Sequence, residues 1–240
     1  MGGDHGPPVV VAGVRDYRRQ HGGEGVRFLL HGHEAAIRAE MGKCGLGDDV
    51  CEVRHTDKVV AMDEKPAQAM RRGKGSSLWN AIEAVKTGEA GAIVSAGNTG
   101  ALMAISKLIL RMSAHGLERP AIVANWPTVR GVTAVLDVGA NVESDAEQLV
   151  EFAIMGGAFH AAVHGSATPT IGLLNVGSED MKGHEEVREA ARILRESGIG
   201  LNYHGFVEGD DIARGTVDVV VTDGFTGNIA LKTAEGVARF

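Results

Sequence analysis

Val217-Asp218-Val219-Val220-Val221-Thr222-Asp223-Gly224-Phe225-Thr226-Gly227-Asn228 changes character halfway along its length. The Asp-Val-Val-Val-Thr run is β-branched and lacks polar alternation, as expected of a strand buried on both faces. Gly with Asp, Thr and Asn then opens a segment of helical period, Thr226–Phe240. The same change recurs along the chain. Candidate strands are Val26–Leu30, Val50–Arg54, Gly91–Ser95, Ala121–Ala124, Val132–Asp137, Thr170–Leu174, Leu201–Phe206 and Val217–Thr222. Between them lie helical periods over Val9–Gln20, His33–Lys43, Pro66–Arg72, Ser77–Thr87, Thr99–Met112, Ala146–Val163 and His184–Glu196. Such alternation predicts an α/β fold with a mostly parallel sheet and helices on both faces.

No stretch is rich enough in Pro, Gly or Ser to mark a linker, so residues 1–240 read as a single α/β domain. Both ends read as cut. Met1-Gly2-Gly3-Asp4-His5-Gly6-Pro7-Pro8 looks like a strand-to-helix loop without its strand, and the last helical period reaches Phe240 with no C-cap signal.

Composition narrows the class. Glycine supplies 34 of 240 residues without a Gly-X-Y period, which places it in tight turns and close backbone approaches. Lys plus Arg is 24 and Asp plus Glu 31, giving 24 − 31 = −7, which disfavours nucleic acid as a partner. A small anion held by helix N-termini remains compatible with that charge. Cys44 and Cys51 form neither a CxxC motif nor a disulfide framework and read as free thiols of a reducing cytosol. The longest apolar run, Ala101–Leu110, is interrupted by Lys107 and is far short of the roughly 20 residues of a span. The expectation is a cytoplasmic protein.

Four loops share one design, an apolar strand followed by Gly with Asn, Asp, Ser or Thr and then a helix. They are Ser95–Gly100, Asp137–Asn141, Asn175–Glu179 and Thr222–Asn228. Val94-Ser95-x-Gly97-x-Thr99-Gly100 also matches Val221-Thr222-x-Gly224-x-Thr226-Gly227. Any one of them reads equally as a βα turn with an N-cap. Four on one predicted sheet edge point to a ligand, because open α/β sheets bind beyond the carboxyl ends of their strands. Glycine permits close approach, helix starts offer unpaired N–H groups, and Asn98, Thr99 and Thr226 would add neutral donors.

Other segments are ambiguous. Asp4 reads as an N-cap or a functional acid, and His5 as a surface residue or a proton donor. Arg71-Arg72-x-Lys74-x-Ser76-Ser77 is a solvated basic turn or a docking patch, and its spacing is not that of a Walker P-loop. Lys182 is an exposed loop residue or the cation that faces the anion. His31-x-His33-Glu34 lacks a second ligand pair at metal-binding spacing, and His160 with His164 lacks the HExxH carboxylate. There is no GxSxG elbow and no cysteine beside an evident base.

Five segments together resemble the bacterial phosphate acyltransferase family. They are Met1–Pro7, Ser95–Ala101, Leu136–Asn141, Gly205–Asp211 and Val219–Asn228. The fourth departs from the family spacing by one residue if Asp211 rather than Asp210 is the counterpart. The resemblance implies a fold like that of the isocitrate and isopropylmalate dehydrogenases. It also implies transfer of a long-chain fatty-acyl group from acyl carrier protein to inorganic phosphate. The acyl phosphate then serves a membrane glycerol-phosphate acyltransferase in phospholipid synthesis. A homodimer, peripheral membrane association of the full-length protein, and no cofactor or metal are implied as well.

On that reading Gly97, Asn98, Thr99, Gly100, Asn141, Gly177, Asp223, Gly224, Thr226, Gly227 and Asn228 hold phosphate or substrate, with Lys182 or Lys74 as counter-cation. His5 is the candidate acid for the departing thiol, and Asp4 or Asp137 would orient it. Arg71, Arg72 and Lys74 would meet the acidic carrier protein. The alternatives are a non-catalytic fragment or scaffold in lipid synthesis, and an NAD-dependent dehydrogenase on the same fold. For the latter the sequence carries no GxGxxG fingerprint and no carboxylate trio for Mg²⁺.

Overall fold

The computed structural model describes residues 1–22, 25–112 and 116–239. Contacts between Cα atoms divide the chain into two compact units, Met1–Ser113 and Ala114–Phe240.

The first unit contains α1 (Gly6–His21), β1 (Phe28–Gly32), α2 (Glu34–Cys44), β2 (Cys51–His55), α3 (Pro66–Arg72), α4 (Ser77–Lys86) and α5 (Thr99–Leu110). β1 and β2 pair in parallel, from Phe28 opposite Cys51 to Gly32 opposite His55. Val11, Val14, Ile37 and Met41 close over that pair and form one core with Leu30 and Cys51. A second core joins Ala69, Leu78, Trp79, Ile82, Ala101 and Ile105 of α3, α4 and α5.

Gly91–Ser95, expected as a strand, has no strand neighbour among the described residues, and Val94 is 94% exposed. The apolar run is real, but a strand exists only through the hydrogen bonds of a paired neighbour.

The second unit holds β3 (Val123–Thr128), β4 (Gly131–Leu136), α6 (Ala146–His164), β5 (Thr170–Leu174), α7 (Glu185–Glu196), β6 (Asn202–Val207), α8 (Gly209–Arg214), β7 (Val219–Val221) and α9 (Gly224–Ala238). The strand order is β3-β4-β7-β5-β6. β4, β7, β5 and β6 run parallel, while β3 lies antiparallel on β4.

Period-2 alternation sends β7 to both faces. Val219 and Val221 join Leu136, Ile171, Leu173 and Phe206 beneath α6 and α7. Val220 joins Val135, Val207 and Ile212 of α8 on the opposite face, where Leu231 of α9 also packs. The predicted mostly parallel sheet with helices on both faces is therefore present in this unit. α6 crosses so closely that a Cβ on Gly156 would sit 2.6 Å from Val219 Cγ1. Its start is fixed by a reciprocal capping box between Asp145 and Gln148.

The predicted helix boundaries fall within three residues of those observed, the last helix starting two residues early at Gly224, and α8 had no predicted counterpart. Phe240, the expected end of the last helix, lies outside the described residues.

Candidate functional site

In the second unit the carboxyl ends of β4, β7, β5 and β6 lie side by side. The loops that follow them, 137–141, 222–224 and 175–184, together with Glu208, consequently gather at one edge. Three of the four predicted glycine loops thus meet. The fourth, Ser95–Gly100, belongs to the first unit.

Asp137 organises the gathered loops. Its side chain is fully buried, and Oδ1 accepts from the N–H groups of Ile122 (3.1 Å), Gly139 (3.2 Å) and Ala140 (2.9 Å). Oδ2 accepts from the Asn141 N–H (2.7 Å) and Nδ2 (2.9 Å). Asn141 Nδ2 also donates to the Pro120 carbonyl (2.9 Å). A buried carboxylate needs such donors to offset the loss of water. With its lone pairs used this way, Asp137 shapes the loop instead of orienting a catalytic histidine.

α9 docks onto that loop through two glycines and the Asn228 side chain. The Gly224 N–H donates to the Asn141 carbonyl (2.7 Å), and a Cβ on Gly224 would lie 2.6 Å from that oxygen. A Cβ on Gly227 would overlap the Asp137 carbonyl oxygen. Asn228 Nδ2 donates to the Val138 carbonyl (3.1 Å). Asp223 caps the helix, accepting from the Thr226 N–H and Oγ1 at 2.8 Å each.

The donors expected here for phosphate are therefore engaged. Thr226 and Asn228 bind protein oxygens, Gly224 and Gly227 act as close-packing positions, and Asp223 places a carboxylate where the helix dipole favours negative charge. Among the described residues only the Phe225 N–H of that first turn has no acceptor.

The 175–184 loop is knit around two glycines. Lys182 Nζ pairs with Glu179 Oε1 (2.9 Å) above Gly177, where a Cβ would lie 2.6 Å from Lys182 Cδ. The shared hydrogen bond holds Lys182 above its ordinary value and Glu179 below. Gly183 adopts φ +88°, and a Cβ there would overlap Asn175 Oδ1. Asn175 Nδ2 donates to the Lys182 carbonyl (3.0 Å). Beyond β6, Asp211 accepts from the Glu208 N–H (2.9 Å) and Thr216 Oγ1 (2.8 Å), whereas exposed Asp210 pairs with Arg214 (2.9 Å). The Glu208-x-x-Asp211 spacing was the available signal for this capped turn.

In the first unit the opening segment packs against the Ser95–Gly100 loop. A Cβ on Gly3 would overlap the Ala96 carbonyl oxygen. Pro7 and Pro8 lie in the first turn of α1, as their fixed φ favours, but the N-cap is His5 and not Asp4, and no side chain caps this helix. Asp4 and His5 are both exposed.

Asn98 is 9% exposed and caps α5, its Oδ1 accepting from the Ala101 N–H (2.9 Å). Its Nδ2 faces the carbonyls of Ala61 (3.1 Å), Met62 (2.9 Å) and Glu64 (2.8 Å). The Asn98 amide is thus used inside the protein and is not a spare donor. What this helix start leaves without an acceptor among the described residues are the Thr99 and Gly100 N–H groups, beside an exposed Thr99. Gly97 donates to Ser95 Oγ (3.2 Å).

Arg71, Arg72 and Lys74 are exposed and carry no ion pair among the described residues. Lys58 Nζ joins them by donating to the Lys74 carbonyl (2.8 Å). Ser76 and Ser77 are buried, and Ser76 caps α4. No helix among the described residues is long and apolar enough to cross a membrane.

A family model described as "Fatty acid synthesis protein" matches residues 1–240. A "Phosphate acyltransferase" of Caulobacter vibrioides is 74% identical over 240 residues, which are 100% of this chain and 66% of that protein. One from Phenylobacterium zucineum is 68% identical over 242 residues, 100% of this chain and 68% of that protein. The chain therefore spans about two thirds of the length of these relatives.

Among solved structures, the EutD phosphotransacetylase from Staphylococcus aureus superposes with a TM-score of 0.61 at 16% identity, covering 96% of this chain and 87% of that one. A branched-chain phosphotransacylase from Enterococcus faecalis V583 gives 0.58 at 15% identity, covering 97% and 81%. These two likenesses concern the fold alone. With the family model matched from its first residue to its last, the chain belongs to the family of fatty acid synthesis proteins.

Proposed function

We propose that this chain carries phosphate acyltransferase activity, moving a long-chain fatty-acyl group from the thioester of acyl carrier protein to inorganic phosphate. The names of its relatives support the reaction class. The observation in the molecule that carries the reading is the start of α5. Two main-chain N–H groups without an internal acceptor sit there behind a neutral cap, the arrangement an anion needs.

Phosphate is already anionic near neutral pH and needs little activation. Its oxygen attacks the thioester carbon, a tetrahedral oxyanion forms, the C–S bond breaks and the thiolate takes a proton. Catalysis then consists of positioning and charge stabilisation. We assign phosphate to Gly97, Thr99 and Gly100, with Asn98 as the residue that holds their loop. Exposed His5 is the acid for the thiolate, with Asp4 beside it in sequence. Lys182 supplies positive charge at the loops of the second unit, with Asn141 and Gly177 shaping that edge. Exposed Arg71, Arg72 and Lys74 meet the acidic carrier protein. Cytoplasmic location, a homodimer, peripheral membrane association, and delivery of acyl phosphate to a membrane glycerol-phosphate acyltransferase complete the proposal.

Hydroxylamine trapping of acyl phosphate, with phosphate varied and chelator present, tests it. Product that saturates with phosphate is the expected result. Thioester loss at the same rate without phosphate would replace the reading with a thioesterase. Carrier-protein binding without turnover would favour a scaffold.

A further inference from the structure

The loop that carries Lys182 is exposed, yet it is fastened from outside by α7. Arg195 Nη2 donates to Asp180 Oδ1 at 2.7 Å, a charge-assisted contact of good geometry. The same guanidinium lies over two aromatic rings, 5.8 Å from the centroid of Phe206 and 6.0 Å from that of Tyr203. Both rings belong to β6, so the guanidinium is held between the sheet and the loop. Burial pushes the Tyr203 phenol up to about 12, so the ring stays neutral and Asp180 is the anionic partner of Arg195. Two turns earlier on α7, Arg188 Nη1 donates to the Met181 carbonyl (3.3 Å). Asp180, Met181 and Lys182 are thus each fixed by a separate contact, the third through Asn175.

α7 has other work that does not need these two arginines. Ala190, Ala191 and Leu194 face the core, and Arg192 pairs with Glu189 and Glu196 of its own helix. We infer that Arg195 is a positioning residue. By holding Asp180 over the edge of β6 it fixes the 179–182 turn, so that Lys182, paired with Glu179, stays folded across Gly177 and keeps its positive charge at the loops of the second unit. This rests on the assignment of Lys182 made above.

The test has two readouts in the 240-residue chain. Trypsin cleavage after Lys182 reports loop order without requiring activity. In Arg195→Ala and Asp180→Asn, cleavage there is expected to accelerate by about threefold, the scale of one lost solvent-exposed ion pair, with the thermal midpoint nearly unchanged. Arg195→Lys should recover part of the protection. Both variants should also raise the phosphate KM by about threefold while kcat stays unchanged.

Unchanged cleavage in both variants overturns the clamp, whatever the protein catalyses. A loosened loop with an unmoved phosphate KM overturns the positioning role. If the unaltered chain makes no acyl phosphate, it is the proposed reaction that fails, and trypsin still decides whether Arg195 fixes the loop.

Discussion

The starts of α5 and α9 are written with nearly the same letters and built differently. Val94–Gly100 and Val221–Gly227 align without a gap, yet α5 begins at Thr99 behind Asn98, while α9 begins at Gly224 behind Asp223, two positions earlier in the shared pattern. The surroundings account for the offset. Val221 lies in a strand with neighbours on both sides, and the Asn141 carbonyl takes the Gly224 N–H as soon as β7 ends. Val94 has no strand neighbour among the described residues, and the three carbonyls at 61, 62 and 64 draw the Asn98 amide into the cap. One start ends up as a joint closed by a carboxylate, and the other as a neutral cap with two N–H groups to spare. Similar glycine loops are therefore not interchangeable anion sites.

Gly227→Ala should separate the two starts most sharply. Its methyl group would overlap the Asp137 carbonyl, backbone that cannot move without opening the loop. A loss of about 3 kcal/mol or more in urea denaturation is expected. Gly100→Ala meets only Pro66 Cγ at 3.0 Å and Asn98 Oδ1 at 3.5 Å, and should cost about 1 kcal/mol or less. Equal losses would break the distinction between joint and open cap.

Asp137→Asn tests what holds the joint. The amide turns an NH₂ group toward N–H donors that a carboxylate satisfied, so about 3 kcal/mol should be lost. A variant as stable as the parent would mean the loop is held by α9 alone.

At the open cap, Asn98→Ala removes both the helix cap and the clamp on the 61–64 carbonyls, at a cost of about 2 kcal/mol. Asn98→Asp keeps a capping oxygen but brings negative charge. Phosphate saturation should weaken by about tenfold or more, whereas Asp223→Asn should leave it within about twofold. The reverse ranking would move phosphate to α9.

The smallest effect concerns a third helix start, that of α8. Asp211 is held below its ordinary value, chiefly by the Glu208 N–H, with Thr216 and Arg214 adding to it. Because the folded value is depressed, this contribution is complete above the unfolded carboxylate pKa and is lost as pH falls through the folded one. Urea midpoints measured from about pH 6 to about pH 3 should drop less in Asp211→Asn than in the parent. Parallel curves would remove Asp211 from the acid sensitivity of the second unit.

Much of the fold was legible because burial periodicity is local. The unalternating Val219–Val221 run announced a strand covered on both faces, and the amphipathic Glu185–Glu196 segment announced a helix. Gly91–Ser95 was not legible, since its apolar letters are those of a strand and only a neighbour could make it one. α8 escaped because six residues are too few to show a helical period.

For the site, the sequence by itself determined which residues lie on glycine-rich turns and which family the motifs resemble, because turn chemistry and motif spacing are properties of adjacent residues. Only the tertiary structure decided where the donors of those turns are directed. It bound Asn98 to the carbonyls of 61–64, Thr226 to Asp223, Asn228 to Val138 and the Asp137 carboxylate to five surrounding donors. A hydrogen-bonding group is open to a ligand only when the fold has not already satisfied it, and the partners of the Asn98 and Asn228 amides lie 34 to 90 residues away in sequence.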